Sequence, residues 1–293
     1  MKILITGAAG FLGKKLRSIL EKKFSFEVIC TDRSGNSETG CVKMDITDAE
    51  KVMNVITNIK PDAVIHCAAM SDVDGCEDNK KLAMTINRDG SANIAEACNA
   101  IDALMVHIST DFVFDGAKGN YAEDDEPNPL SYYAKTKLEG ENAVKKKAHK
   151  FIIIRPEVLY GYNGDGSERS FTIWVHDNLK AGKEIRVVDD QFNTPTLIDD
   201  LAMAIGKLIK KNKLGIWHVA GPERLSRYEM AVQLAEVFGY DASLIKRIKS
   251  SELKQKALRP LDSSLNTEKL NKAGISMHGF REGLAIMKGQ MGK

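Results

Sequence analysis

The 293 residues carry 42 Lys and Arg against 40 Asp and Glu, a net charge of +2, so no single-sign field directs the chain to nucleic acid or a membrane surface. A hydrophobic content of 43% is enough for a sizeable core, and the length suits about two domains. The cysteines, Cys30, Cys41, Cys67, Cys76 and Cys98, are odd in number and lack C-x-x-C spacing, so neither a disulfide framework nor a metal site is expected, and a reducing cytoplasm fits best.

Lys2-Ile3-Leu4-Ile5-Thr6 reads as a buried strand, too short for a signal peptide, and no later apolar run approaches the ~18 residues of a membrane span. It breaks into Gly7-Ala8-Ala9-Gly10-Phe11-Leu12-Gly13. Any strand-to-helix turn can hold glycines, but this spacing also suits a dinucleotide. Gly7 permits the tight turn, Gly10 removes the Cβ that would keep a pyrophosphate off the backbone, and Gly13 lets the helix lie close on the strand. The phosphates would meet free N–H groups at the helix N-terminus. A second apolar run, Phe26 to Thr31, ends in Asp32, at roughly the 20-residue spacing of a ribose-binding carboxylate.

Residues 33–40 are rich in Ser, Gly and Asn and read as a loop, after which Asp45-Ile46-Thr47-Asp48 opens a helix with Thr47 or Asp48 as its N-cap. Pro61 to His66 is the next strand, followed by Cys67-Ala68-Ala69, whose small side chains let backbone approach a ligand. A helical pattern runs from Lys80 to Ala100. The strand Leu104 to Ile108 delivers Ser109-Thr110-Asp111 at its carboxyl end, and a polar loop with Pro127 and Pro129 leads to a helix bearing Tyr133 and Lys137. The strand Phe151 to Arg155 ends at Pro156. This alternation predicts an α/β fold with a doubly wound parallel sheet, Rossmann-like, with ligands at the carboxyl ends of its strands.

Past Gly161 the rhythm changes. A glycine-rich loop runs to Gly166, a helix covers Phe171 to Leu179, and Ile185 to Val188 precede Asp189 to Thr196. The helix and strand between Leu197 and Ala220 are expected to return to the first domain. Helices at Tyr228 to Phe238 and near Phe280 to Lys288 flank Leu258-Arg259-Pro260. The expected division is a dinucleotide-binding domain of residues 1–160 with 197–220, and a smaller C-terminal α/β substrate domain of residues 161–196 with 221–293. Lys145-Lys146-Lys147 and Lys210-Lys211 read as solvated helix ends, and His66 and His107, on apolar strands, as core histidines.

Tyr133 and Lys137 are one helical turn apart and share a face. They read either as ordinary helix-surface residues or as a proton donor whose phenol, with an ordinary pKa of about 10, is tuned by a neighbouring ammonium. The order of parts favours the second reading. Glycine turn, Asp32, the strand ending in Ser109-Thr110 and the Tyr–Lys helix follow one another as in the extended short-chain dehydrogenase/reductase superfamily, which the G-x-x-G-x-x-G spacing also resembles.

The resemblance narrows with STDFVFDG (109–116), YAKTKLEGE (133–141), DQFNTPT (190–196), DVDGCE (72–77) and LRPLDSSLNTEKL (258–270). Together they resemble the dTDP-4-dehydrorhamnose reductase family. The resemblance implies a catalytic Thr110, Tyr133 and Lys137. Tyr133 protonates the C4 oxygen as hydride arrives, Thr110 hydrogen-bonds that oxygen, and Lys137 holds the nicotinamide ribose and lowers the Tyr133 pKa. It implies NADPH or NADH held by Gly7, Gly10, Phe11, Leu12, Gly13, Asp32, Arg33, Asp45, Ile46, Ala68, Ala69, Tyr133 and Lys137. It implies a nucleotide-sugar substrate, a dTDP-linked 4-keto-6-deoxy sugar, met by Val73, Asp74, Thr110, Asp111, Gln191 and Arg259. The Arg259 guanidinium suits phosphate oxygens. Related 4,6-dehydratases follow the threonine with an acid/base pair. Here Phe112 stands after Asp111 and cannot transfer a proton, so carbonyl reduction is expected over loss of water.

Two departures stand out: Phe192-Asn193 where family members often have a glycine, which bears on the sugar pocket, and Ala134 where glycine is common. A homodimer through the helices at Lys80 to Ala100 and Tyr132 to Lys147 is also expected. The same family resembles the β subunit of methionine adenosyltransferase, a non-catalytic regulatory role, and a sister nucleotide-sugar reductase or epimerase is a further alternative.

Overall fold

The computed structural model describes residues 1–35, 40–164 and 170–292; residues 36–39 of the expected Ser/Gly/Asn loop, and the end of the glycine-rich loop including Gly166, lie outside the described residues. The apolar runs form β1 (Lys2–Thr6), β2 (Glu27–Asp32), β3 (Val42–Lys43), β4 (Ala63–His66), β5 (Leu104–Ile108) and β6 (Phe151–Arg155). With Gly215–His218 they make one parallel sheet, ordered Gly215–His218, β6, β5, β4, β1, β2, β3. The order reverses between β1 and β4, and ligands bind such sheets in the crevice at that point. The register lines up the carboxyl ends there, Thr6 facing Thr31 on one side and His66 on the other.

Alternate residues of each strand face opposite layers. Ile3, Ile5, Ile65, Val106 and Ile154 pack against Leu12, Leu16 and Leu20 of α1 (Phe11–Phe24) and against the helix Ile198–Lys210. Leu4, Val64, Met105 and Ile153 pack against Val52 and Ile56 of α2 (Ala49–Ile59) on the other face. Each such side chain contributes about 1.5–3 kcal/mol of hydrophobic stabilisation. A separate core joins Tyr160, Val175, Leu179, Ile185 and Val187 to Met230, Leu234, Phe280 and Leu284. These separate cores support the two-domain division, which we propose, with Leu270 and Ile275 reaching back to the core of the sheet.

Two local features were not visible in the periodicity. A short α3 (Val73–Asp78) starts at Asp72, whose carboxylate accepts from the Gly75 amide. The helical pattern from Lys80 to Ala100 is α4 (Lys80–Met84) and α5 (Gly90–Ala100) joined by a π turn, Thr85–Asp89. That wider turn carries the buried Asn87, whose side chain takes both the amide and the carbonyl of Met70 (2.8 and 3.1 Å) and donates to Thr136 Oγ1 at 2.9 Å. At the start of α2 the cap is Asp48, which accepts from the Lys51 amide, while Thr47 is drawn to Asp45. The helix carrying the Tyr–Lys pair is α6 (Tyr132–Lys147), capped by Ser131.

Candidate active site

At the glycine turn Gly7 has φ +64°, and a Cβ there would lie 2.8 Å from the Ala68 backbone. A Cβ on Gly13 would lie 2.5 Å from the Gly7 carbonyl oxygen. Gly10 differs: within 4 Å its Cβ would meet only that oxygen, at 3.2 Å, and otherwise would project into a cradle at the uncapped start of α1. A flat backbone surface at a helix N-terminus fits a pyrophosphate. The residues present therefore fit a dinucleotide.

From this turn a cleft of about 880 Å³ crosses the switch point, lined by every residue nominated for the cofactor. Asp32 ends β2 and takes Ser34 on one oxygen, from its amide at 3.2 Å and its hydroxyl at 3.0 Å, with the exposed Arg33 beside it. Asp45 accepts from Thr47, which holds its carboxyl below the ordinary range. His66 and His107 are core residues. His66 bonds Thr6 Oγ1 at 2.7 Å, and burial pushes it down to about 3.

Thr110, Tyr133 and Lys137 meet in the same cleft. Thr110 follows β5; its Oγ1 accepts from the Phe112 amide at 3.2 Å and donates to Asp111 Oδ1 at 3.0 Å. Lys137 Nζ donates to the Ile108 carbonyl at 2.6 Å. Burial pushes its ammonium down to about 8, against the pull of Glu141. The expected lowering of the Tyr133 pKa is not seen in the chain alone. Burial, reinforced by Asp111, pushes the phenol up. Tyr133 is thus a neutral O–H donor. Beneath it, Glu141 accepts from Ser109 Oγ at 2.6 Å and from Arg155 Nε and Nη2 at 2.9 and 2.8 Å, fixing the strand ends that present Thr110.

Of the residues nominated for substrate, Val73, Thr110 and Asp111 line the cleft, and Asp74, Gln191 and Arg259 do not. Arg259 grips both carboxylate oxygens of Asp74 at 2.6 and 2.9 Å and holds that carboxyl down at about 2. Gln191 is buried, and its carbonyl accepts from the Arg227 amide. The cleft instead presents Arg227, the first residue of the helix Arg227–Phe238, its guanidinium 5.0 Å from the Phe171 ring. Sequence reasoning passed over Arg227 because a helix-start arginine ordinarily points to solvent. It also passed over Glu157, which lies buried behind Asp111. Among the described residues no group of three or more His, Cys, Asp or Glu is placed to hold a metal, and no helix is long and apolar enough to cross a membrane.

A parallel sheet with a glycine turn at its switch point and a Thr–Tyr–Lys set at the neighbouring strand ends defines an NAD(P)-dependent oxidoreductase of the short-chain dehydrogenase/reductase class. The family described as RmlD substrate binding domain matches residues 1–291, and the chain belongs to it, the family of the dTDP-4-dehydrorhamnose reductases. The structure is similar to that of dTDP-4-dehydrorhamnose reductase from Bacillus anthracis in complex with NADP, with a TM-score of 0.90, 32% identity and 98% of each chain covered. The sequence is 33% identical to the probable low-salt glycan biosynthesis reductase Agl14 of Haloferax volcanii over 98% of this chain and 97% of that one. It is also 32% identical to methionine adenosyltransferase 2 subunit beta of Bos taurus, over 97% of this chain and 86% of that protein.

Proposed function

We propose that the chain reduces the C4 keto group of a dTDP-linked 4-keto-6-deoxy sugar, converting dTDP-4-dehydrorhamnose to dTDP-rhamnose, with NADPH or NADH. The observation that carries this reading is the meeting of Thr110, Tyr133 and Lys137 in the cleft that begins at Gly10. A bound nicotinamide dinucleotide supplies hydride chemistry at that end of the cleft. Gly7, Gly10 and Gly13 seat its pyrophosphate, Asp32 takes the ribose hydroxyls, and Arg33 pairs with a 2′-phosphate, so both cofactors are accepted. Lys137 holds the nicotinamide ribose. Thr110 positions the sugar's C4 oxygen and Tyr133 protonates it. Arg259 and Gln191 act at the nucleotide end, where Arg259 exchanges Asp74 for a phosphate. A homodimer through α4–α5 and α6 belongs to the same reading.

The test is oxidation of NADPH by the purified chain with dTDP-4-dehydrorhamnose and a panel of related keto-sugars. Turnover of another nucleotide sugar alone would redirect the substrate while keeping the chemistry. The similarity to methionine adenosyltransferase 2 subunit beta favours a second reading, a regulatory subunit. It predicts dinucleotide binding with no turnover of any sugar.

A further inference from the structure

Among the described residues three cationic side chains line the cleft: Arg33, Lys137 and Arg227. Arg33 stands beside Asp32 at the ribose end of the glycine turn, and Lys137 is held to the Ile108 carbonyl at 2.6 Å. Arg227 comes instead from the second core, on the helix whose Met230 and Leu234 pack there. Its backbone is fixed before its side chain begins. Leu225 and Ser226 pair antiparallel with Asn193 and Phe192, and the Arg227 amide donates to the Gln191 carbonyl at 3.1 Å.

The half-buried guanidinium packs 5.0 Å from the centroid of the Phe171 ring, the first residue of the helix Phe171–Lys180. A guanidinium held by a ring keeps its N–H fork for an acceptor that offers two oxygens. Among the described residues the Arg227 side chain makes no hydrogen bond and no ion pair. Burial lowers its pKa, and Asp111 and Glu157 work against that fall, yet neither carboxylate closes on it. Glu157 accepts from Asn193, Thr194 and Ser263, and Asp111 accepts from Thr110. A cation drawn out of water without a partner is unfavourable, and this one lines an open cleft into which an anion can come.

We propose that Arg227 is a substrate-binding residue whose fork takes two oxygens of the diphosphate of a nucleotide sugar, an assignment that rests on the reductase reading. Phosphate oxygens match the guanidinium geometry in the two-pronged way that makes such pairs strong. Arg227 interacts with Asp111, beside Thr110, and with Arg259. It therefore meets the phosphate next to the sugar and leaves the nucleoside-side phosphate to Arg259, which in the chain alone is committed to both oxygens of Asp74. The diphosphate does not change during hydride transfer, so this contact holds substrate and transition state alike and acts on binding rather than on the chemical step.

The probes are dTDP and thymidine, which differ by the diphosphate alone. Binding of each, binding of NADPH, and steady-state reduction of dTDP-4-dehydrorhamnose are measured on the parent and on Arg227→Gln. In Arg227→Gln the Kd for dTDP rises about tenfold to hundredfold, the range for hydrogen bonds to a charged group, while the Kd values for thymidine and NADPH stay at those of the parent. KM for the sugar nucleotide rises with the dTDP Kd, and kcat holds. An equal loss of thymidine binding shows that Arg227 only shapes the cleft and overturns the proposal. An unchanged Kd for dTDP, or a parent that does not bind it, overturns it too, as does a kcat that falls at constant KM. If Arg227→Gln does not fold, phenylglyoxal labelling of the parent decides, read by mass on the peptide carrying Arg227: dTDP shields the guanidinium and thymidine does not, and labelling indifferent to dTDP overturns the assignment. A parent that binds dTDP but reduces no sugar overturns the reductase reading, while the dTDP titration and the labelling still decide whether Arg227 holds the diphosphate.

Discussion

Lys137 Nζ donates to the Ile108 carbonyl at 2.6 Å, tying the helix of the Tyr–Lys pair to the last residue of β5. The bond holds the ammonium in a buried place where desolvation brings its pKa down to about 8. A lysine of this kind loses its charge just above neutrality. NADPH affinity of the parent chain should therefore fall as pH rises through about 8, and Lys137→Met should bind more weakly with no such dependence. Stability moves the other way. A depressed lysine is destabilising while charged, so the parent gains stability as pH rises from about 8 toward the ordinary lysine value, and Lys137→Met removes that gain. Fluorescence titration and denaturant melts across that range check both; an affinity flat through pH 8 would sink the ribose assignment.

Tyr133→Phe isolates the proton. The ring keeps its edge contact with Phe112, centroids 6.3 Å apart, and only the hydroxyl is lost. The reduction rate should fall by about 10²–10⁴-fold, the usual range for a general acid, with little change in cofactor affinity because the glycine turn and Asp32 are untouched. Single-turnover rates and NADPH titration separate the two effects. Near-parent turnover would remove Tyr133 from the chemistry.

Sheet, switch point and cofactor cradle were legible because they rest on local rules: apolar runs between glycines, a carboxylate at the end of β2, a tyrosine and a lysine one helical turn apart. The far side of the cleft was not, because its residues arrive from separate turns. Glu157 faces Asp111 only because β5 and β6 are neighbours, and Arg227 reaches the cleft only because the helix it opens packs in the second core. Arg259 was legible as a phosphate-type arginine but its partner was not: Asp74 comes from a helix far away in sequence. The π turn that carries Asn87 leaves no mark in a 3.6-residue pattern.

Gly10 and Gly13 make opposite predictions from the same substitution. Gly13→Ala drives a methyl to 2.5 Å from the Gly7 oxygen and 2.7 Å from Ala8 Cα, so the turn must open; both stability and cofactor binding should fall. Gly10→Ala meets only one atom at 3.2 Å, so the chain should fold near the parent stability, while the methyl occupies the pyrophosphate cradle and KM for NADPH rises about tenfold or more. Thermal melts and kinetics on the two variants decide it. Equal KM in Gly10→Ala and parent would place the phosphates elsewhere.

Glu141 and Arg155 form a buried pair, at 0% and 1% side-chain exposure, with Ser109 donating to the same carboxylate and the Arg155 guanidinium 5.1 Å from the Phe114 ring. Removing one partner leaves the other charge buried and unpaired, a loss of about 3–5 kcal/mol. That is a large part of a typical domain's 5–15 kcal/mol. Glu141→Gln should accordingly lower the urea midpoint sharply, and Glu141→Leu combined with Arg155→Met should recover part of the loss because no lone charge remains. The acid limb follows from Arg155 and Ser109 holding the Glu141 carboxyl below its ordinary range: its contribution is present above the unfolded pKa and is lost as pH falls through the folded one. Ser109 precedes Thr110, so a surviving Glu141→Gln enzyme should also turn over more slowly, with cofactor affinity kept. A Glu141→Gln chain within about 1 kcal/mol of the parent would show that the pair is not needed to hold these strand ends.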